Sequence, residues 1–195
     1  MAPETKGPYK VLTTRKAYEN PWLSVREDKV IRPGGKEGYF GIVEMKAGAS
    51  VLALTPLNEV YLVKEYKYGI ERYSIELMSG ALEENETPLE AAKRELKEEL
   101  GLEAEEWIDL GVVDPFTTAV HSPNYMFLAM GLHEGEHNRD EGEVLEILKT
   151  PLSDAIDMVM RSEITHSASC VLILKADRYL HGAGGKRGRG KEGNR

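Results

Sequence analysis

"GALEENETPLEAAKRELKEELGL", residues 80–102, sets seven glutamates among twenty-three residues. The stretch also carries its own helix signals. Thr87 is a good N-cap and Glu90 stands at the capping-box spacing, where each side chain takes up the other's backbone N–H. Pro88 fills the first helical position, where a missing N–H is no loss, and Gly101 suits a left-handed C-terminal cap. A helix over Pro88–Leu100 follows. At about 100° per residue, Leu89, Leu96 and Leu100 share a narrow arc and read as the core-facing stripe. Glu95, Glu98 and Glu99 fall on a neighbouring arc beside Ala91 and Ala92, with Lys93, Lys97 and Glu90 on the far side.

Glu95 is an i,i+3 neighbour of Glu98 and an i,i+4 neighbour of Glu99. Each like-charge pair costs roughly 0.2–0.5 kcal/mol in an isolated helix. Two explanations compete. One is a solvated acidic face. The other is a divalent cation among the carboxylates, since Mg²⁺ takes hard oxygen ligands, usually a few carboxylates with waters and substrate phosphates. The cation turns the repulsion into attraction, and the small alanines leave room for a substrate to approach.

Outward from the helix, the chain reads mainly as strands. "VLTTRKAYEN" and "WLSVREDKVI" are rich in β-branched and aromatic residues, "RPGGKEG" is a turn, and "YFGIVEM" is a third strand. These strands bury little alone and are expected to pack on something else, such as a second subunit. "SVLALTPL", "EVYLVKEYKY" and "RYSIELM" lead into residues 80–102, the last ending at Ser79-Gly80. "WIDLGVV", "YMFLAMGL" and "EVLEILKT" follow as strands, then "LSDAIDMVMR" and "SASCVLILKADRYL" as helices. The order implies an α+β fold with helices packed on a mixed sheet. Three parts are expected: an N-terminal β extension over 1–48, the main domain over 49–181, and a tail over 182–195.

The 195 residues are 41% hydrophobic and 30% charged, enough for an ordinary core. The net charge of -8 argues against gripping nucleic acid as the main task, although a divalent metal would still allow a phosphate substrate. One cysteine, Cys170, excludes a disulfide framework and a cysteine metal site; a small core residue is the expectation. "MAPETKGPYK" lacks the apolar region of a signal peptide, and no apolar run approaches the roughly 20 residues of a membrane span. A soluble cytoplasmic protein is the expectation. The tail "GAGGKRGRGKEGNR" is too rich in glycine to pack, and its five basic residues leave a weak RNA or acidic-partner contact as the minority reading.

Read as G-x5-E-x7-R-E-(apolar)-x-E-E-x-G-(apolar), residues Gly80, Glu86, Arg94, Glu95, Leu96, Glu98, Glu99, Gly101 and Leu102 resemble the Nudix box at every defined position. Average residue usage would match a given window by chance on the order of once in 10⁹. The resemblance implies the Nudix α/β/α sandwich, a mixed sheet between helices, and hydrolysis of nucleoside diphosphates linked to another moiety. It implies that Glu95, Glu98 and Glu99 hold Mg²⁺, with Mn²⁺ possible in its place, that Glu86 completes or orients the site, and that Arg94 orients a glutamate. The Ser79 carbonyl matches a further metal-coordinating position, and Gly80 is expected to let the chain turn tightly into the box.

The surroundings are most similar to the ADP-ribose pyrophosphatase and ADP-compound hydrolase branch. The stretches "NPWLSVREDKVIRPGGK", "VYLVKEYKYGIERYSIELMSGALEENE" and "RSEITHSASCVLILKADRYL" carry this, together with Pro115 downstream of the box. "MSG" stands where the branch usually has "PAG", and Lys67 stands where many relatives use arginine, losing the bidentate fork. NADH, diadenosine polyphosphates and GDP-mannose stay open as substrates, and a non-catalytic nucleotide- or RNA-binding module is the other class. By position the general base falls on Glu143, with Glu141 next. The branch also implies a homodimer built by the N-terminal strands, from which Trp22 either stacks a base or packs in the interface. His121 and His166 are given no catalytic part.

Overall fold

The computed structural model describes residues 4–135 and 145–182. Two compact units divide the chain: Met1–Ala47 with Asp114–Pro123, and Gly48–Val113 with Asn124–Arg195.

The first unit is a five-stranded sheet of β1 (Thr5–Lys6), β2 (Tyr9–Glu19), β3 (Leu23–Ile31), β4 (Glu37–Met45) and β10 (Val120–His121), in that order. The first four are antiparallel neighbours, and β10 joins β4 in parallel through Val120↔Val43. β2 carries mostly exposed side chains, as "TTRKAYE" leads one to expect. Inside the sheet Asp28 is buried. It accepts from the Thr14 hydroxyl at 2.8 Å and from Lys6 Nζ at 3.2 Å, which satisfies an otherwise costly buried charge.

The second unit holds β5 (Gly48–Ala53), β6 (Glu59–Lys67), β7 (Arg72–Glu76), β8 (Met78–Ala81), β9 (Leu102–Val113), β11 (Asn124–Glu134) and β12 (Glu146–Pro151), with helices α1 (Pro88–Leu100), α2 (Leu152–Met160) and α3 (Ser167–His181). One sheet runs β8-β5-β11-β9 and is mixed: β5 is parallel to β11 and antiparallel to β8. The other is antiparallel, β12-β6-β7. β5 is buried along nearly its whole length, which is why "SVLA" lacks polar alternation.

Its two faces serve two cores. Ala49, Val51 and Ala53, with Phe127 and Ala129 of β11, pack against Ala91, Ala92 and Leu96 of α1. Leu52, Met126 and Leu128 pack against Leu152 and Ala155 of α2 and Leu172, Ile173 and Ala176 of α3. The α+β fold is therefore an α/β/α sandwich of mixed sheet between helices. The two C-terminal helices match the sequence reading to within a residue.

Two expectations need correction. "RYSIELM" is two strands, not one: β7 ends at Glu76, Leu77 is fully buried, and β8 begins at Met78 in the other sheet. The buried face of α1 is Ala91, Ala92, Glu95 and Leu96, whereas Leu89 and Leu100 flank it half-buried. The alanines do not open space for a substrate. Their small side chains let the helix settle on β5, while Leu96 supplies the apolar burial, roughly 2–3 kcal/mol for a side chain of that size.

Candidate active site

Both ends of α1 are fixed locally. Thr87 Oγ1 accepts from the Glu90 N–H at 3.3 Å, and Glu90 Oε2 accepts from the Thr87 N–H at 2.8 Å. Gly101, at φ 65°, turns its N–H back to the Lys97 carbonyl at 2.9 Å. So anchored, the helix brings its glutamates against β8. Gly80 lies inside that strand and has no positive φ. A Cβ there would collide with the Glu95 carboxylate. Gly80 is thus required for the close approach of Glu95, and not for the tight turn the motif suggests.

Arg94 organises the acidic edge. Its Nε and Nη2 donate to the two oxygens of Glu86 at 2.9 and 3.1 Å, a bidentate pair. Nη1 donates to Glu95 Oε1 at 2.6 Å and to Glu98 Oε2 at 3.0 Å, and Nη2 also reaches the Ala81 carbonyl at 3.0 Å. Glu86 Oε2 in turn accepts the Glu83 N–H at 2.9 Å, tying down the loop ahead of the helix. The Arg94 hydrogen bonds hold the Glu86 carboxyl below its usual range, and the same bonds raise the guanidinium. Burial pushes Glu95 up, with Arg94 opposing and the charges of Glu98 and Glu86 adding to the rise.

These groups open onto a cavity of about 540 Å³ whose lining includes Ser79, Gly80, Arg94, Glu95, Glu98 and Glu99. Glu99 has one carboxylate oxygen, Oε2, fully buried. One guanidinium among four glutamates leaves the edge negative. The metal-donor atoms of the lining are all oxygens, the carboxylates of Glu65, Glu76, Glu83, Glu95, Glu98 and Glu99 and the Ser79 backbone, with no thiol or imidazole in it among the described residues. That donor chemistry fits a hard dication. Among the described residues, no three His, Cys, Asp or Glu side chains are gathered as a finished cluster, consistent with the Arg94 guanidinium holding Glu95 and Glu98.

The structure brings Ser79, Arg94, Glu95, Glu98, Glu99 and Lys67 to this one cavity. Glu86 does not line it and is paired with Arg94. Trp22 and Pro115 belong to the first unit, where both are exposed, and neither is among the lining residues. Glu143 and Glu141 lie outside the described residues.

Glu65, Glu76 and Glu83 line the cavity without having been singled out in the sequence, and His166, named there without a catalytic part, is brought against Glu76. Glu65 pairs with Lys67 Nζ at 2.5 Å, and Glu76, itself buried, lines the cavity from the end of β7. His166, just ahead of α3, sits with Nδ1 3.5 Å from Glu76 Oε2 and 2.9 Å from Ser169 Oγ. Burial lowers the His166 imidazole, as does Lys67, while Glu76 opposes. The available signal was a charge inside an apolar run, Glu76 in "SIELM". Among the described residues, no helix is long and apolar enough to cross a membrane.

Comparison with known proteins agrees with this geometry. The NUDIX domain model matches residues 45–167, and the model of the nucleoside diphosphate sugar hydrolase N-terminal domain matches residues 9–43. The chain is 30% identical over 163 residues to an ADP-ribose pyrophosphatase of Bacillus subtilis (strain 168), covering 80% of this chain and 85% of that one. It is 27% identical over 169 residues to a methanol dehydrogenase activator of Bacillus methanolicus, covering 84% and 90%. Among solved structures, an ADP compounds hydrolase superposes with a TM-score of 0.78 at 20% identity over 88% of this chain and 94% of the other, a likeness of fold.

Proposed function

The chain belongs to the NUDIX domain family, and from that premise we propose that it hydrolyses the pyrophosphate bond of ADP-ribose or a related ADP-sugar, giving AMP and a sugar phosphate. The family and its relatives make it a hydrolase of pyrophosphate bonds that uses a divalent metal. The observation that carries the substrate reading is the polar cavity holding both a glutamate edge and Lys67. A diphosphate would be neutralised by a dication held on the glutamate edge and by the Lys67 ammonium.

In this reading Glu95, Glu98, Glu99 and the Ser79 carbonyl hold Mg²⁺ or Mn²⁺. The ion supplies charge neutralisation on the diphosphate and an acidified water. Arg94 keeps Glu95 and Glu98 oriented, and through Glu86 it holds the preceding loop in place. Lys67 stays protonated beside Glu65, Glu76 and Glu99, whose pull outweighs the effect of its burial, and donates to a phosphate oxygen. A carboxylate takes the proton of the attacking water; by position that base is Glu143. By the resemblance, Pro115 is kept as a substrate contact, and Trp22 either stacks a base or packs in a homodimer interface built by the N-terminal strands; neither lines the cavity of the second unit.

Incubation with ADP-ribose and Mg²⁺, Mn²⁺ or no metal, reading AMP, tests the reading, with NADH, diadenosine polyphosphates and GDP-mannose alongside. AMP formed only with metal and fastest from ADP-ribose is expected. Binding without turnover of any of these would place the chain among non-catalytic binding modules.

A further inference from the structure

We propose that Glu76 is a specificity residue that accepts hydrogen bonds from hydroxyl groups of the moiety attached to the diphosphate, so that the cavity selects a sugar over a bare phosphate ester. This rests on the functional reading above and adds to it the group that reads the sugar.

The position of Glu76 is unusual for a carboxylate. It is only 9% exposed, yet it belongs to the lining of the cavity. A buried carboxylate is expensive unless donors surround it. The imidazole it faces, His166, has its Nδ1 at 3.5 Å, longer than a charge-assisted hydrogen bond. Ser169 does not supply the missing donor, because its hydroxyl oxygen accepts the Leu77 N–H at 2.9 Å and lies 2.9 Å from the same imidazole nitrogen. Among the described residues, what remains available to Glu76 is the cavity.

A carboxylate can only accept, so its ligand must bring a donor: a cation, an amine or a hydroxyl. The Lys67 ammonium lies within electrostatic reach of Glu76. Its positive charge disfavours a second cation there and suits a ligand that places phosphate beside the lysine and hydroxyls beside the glutamate. A sugar joined to a diphosphate has that order of groups. Strand register fixes the arrangement: Val63 pairs with Glu76 across the β6–β7 hairpin, and Lys67 closes the same hairpin opposite Arg72.

The test compares ADP-ribose with the methyl ester of ADP, which keeps the diphosphate and lacks the second sugar. The wild-type protein should prefer ADP-ribose in kcat/KM. Glu76→Ala should lower kcat/KM for ADP-ribose by about 10- to 100-fold, the range for losing a hydrogen bond to a charged group. On the methyl ester the fall should be clearly smaller, since only the charge beside Lys67 is lost there. Glu76→Gln keeps the shape and one acceptor oxygen and should lose part of the same preference, which covers the case in which the alanine variant folds poorly. His166→Asn should move the ratio the same way by less, with the methyl-ester rate unchanged, as befits a positioning residue. An equal fall on both compounds would overturn the proposal, because Glu76 would then act on the diphosphate or its metal. An unaltered preference in both Glu76 variants would overturn it too, while leaving the hydrolase reading intact. Failure of the wild-type protein to cleave either compound removes that reading and the inference with it.

Discussion

The cavity has two differently made walls. The helix edge, Arg94, Glu95, Glu98 and Glu99, comes from six consecutive positions, with Glu86 behind Arg94. The strand wall is gathered from β6, β7 and β8, and behind it Glu76 meets His166 across ninety positions of chain. The first wall is built by helical periodicity and two caps. The second exists only once β6 has paired with β7 and β8 has joined the other sheet. Residues near in sequence can therefore be read as a site from the order of amino acids alone, whereas those brought together by tertiary packing cannot.

The largest expected effect lies on the helix edge. Glu99→Gln should lose at least about 100-fold in kcat with its circular dichroism unchanged, because a neutral amide is a poor ligand for a hard dication. Wild-type rates in that variant would break the division between the walls. Gly80→Ala sharpens it. The added methyl must displace the Glu95 carboxylate, and a misplacement of about 1 Å at a reacting centre costs on the order of 10²-fold. A loss of about 10- to 100-fold in kcat at saturating metal is expected. A variant as active as wild type would show that Glu95 has another productive position.

Thr87→Ala reaches the same edge through the helix terminus. It removes the capping box and should lower stability by about 1 kcal/mol in chemical denaturation, with kcat little changed. A loss of activity without loss of stability would mean that the cap itself positions the glutamates. The smallest effect belongs to the strand wall. His166 is lowered from its usual 6.5 by burial, so the unfolded chain takes up a proton there that the folded one refuses. Stability contributed by the neutral imidazole is present above about pH 6.5 and is lost as the pH falls from there toward the lower folded value. His166→Asn should flatten that part of a denaturation-against-pH profile; an unchanged slope would show that the imidazole titrates as in the open chain.

Much of the helix edge was legible because its signals are local. Thr87, Glu90, Pro88 and Gly101 fix both ends of α1, and the spacing of its glutamates sets their common arc. The layered fold was legible from the order of elements. The break at Leu77 was not, because "SIELM" is uniformly compatible with a strand and only sheet membership separates β7 from β8. The burial of Glu95 was also hidden. Wheel geometry places it between Ala91 and Ala92, but whether that arc meets a sheet or solvent depends on Ala49, Val51 and Ala53 beneath. The same holds for Gly80, whose need for a bare Cα arises from a carboxylate fifteen positions later.

The crossing at Leu77 has one more consequence. There the backbone passes between sheets, and its amide finds a partner in the Ser169 hydroxyl, 92 residues downstream. Until α3 packs, that amide can find only water, so the segment leading into Ser79 and Gly80 gains this anchor only when Ser169 docks. One lining position of the cavity, Leu77, is thus tied at its backbone to a helix that lines none of it.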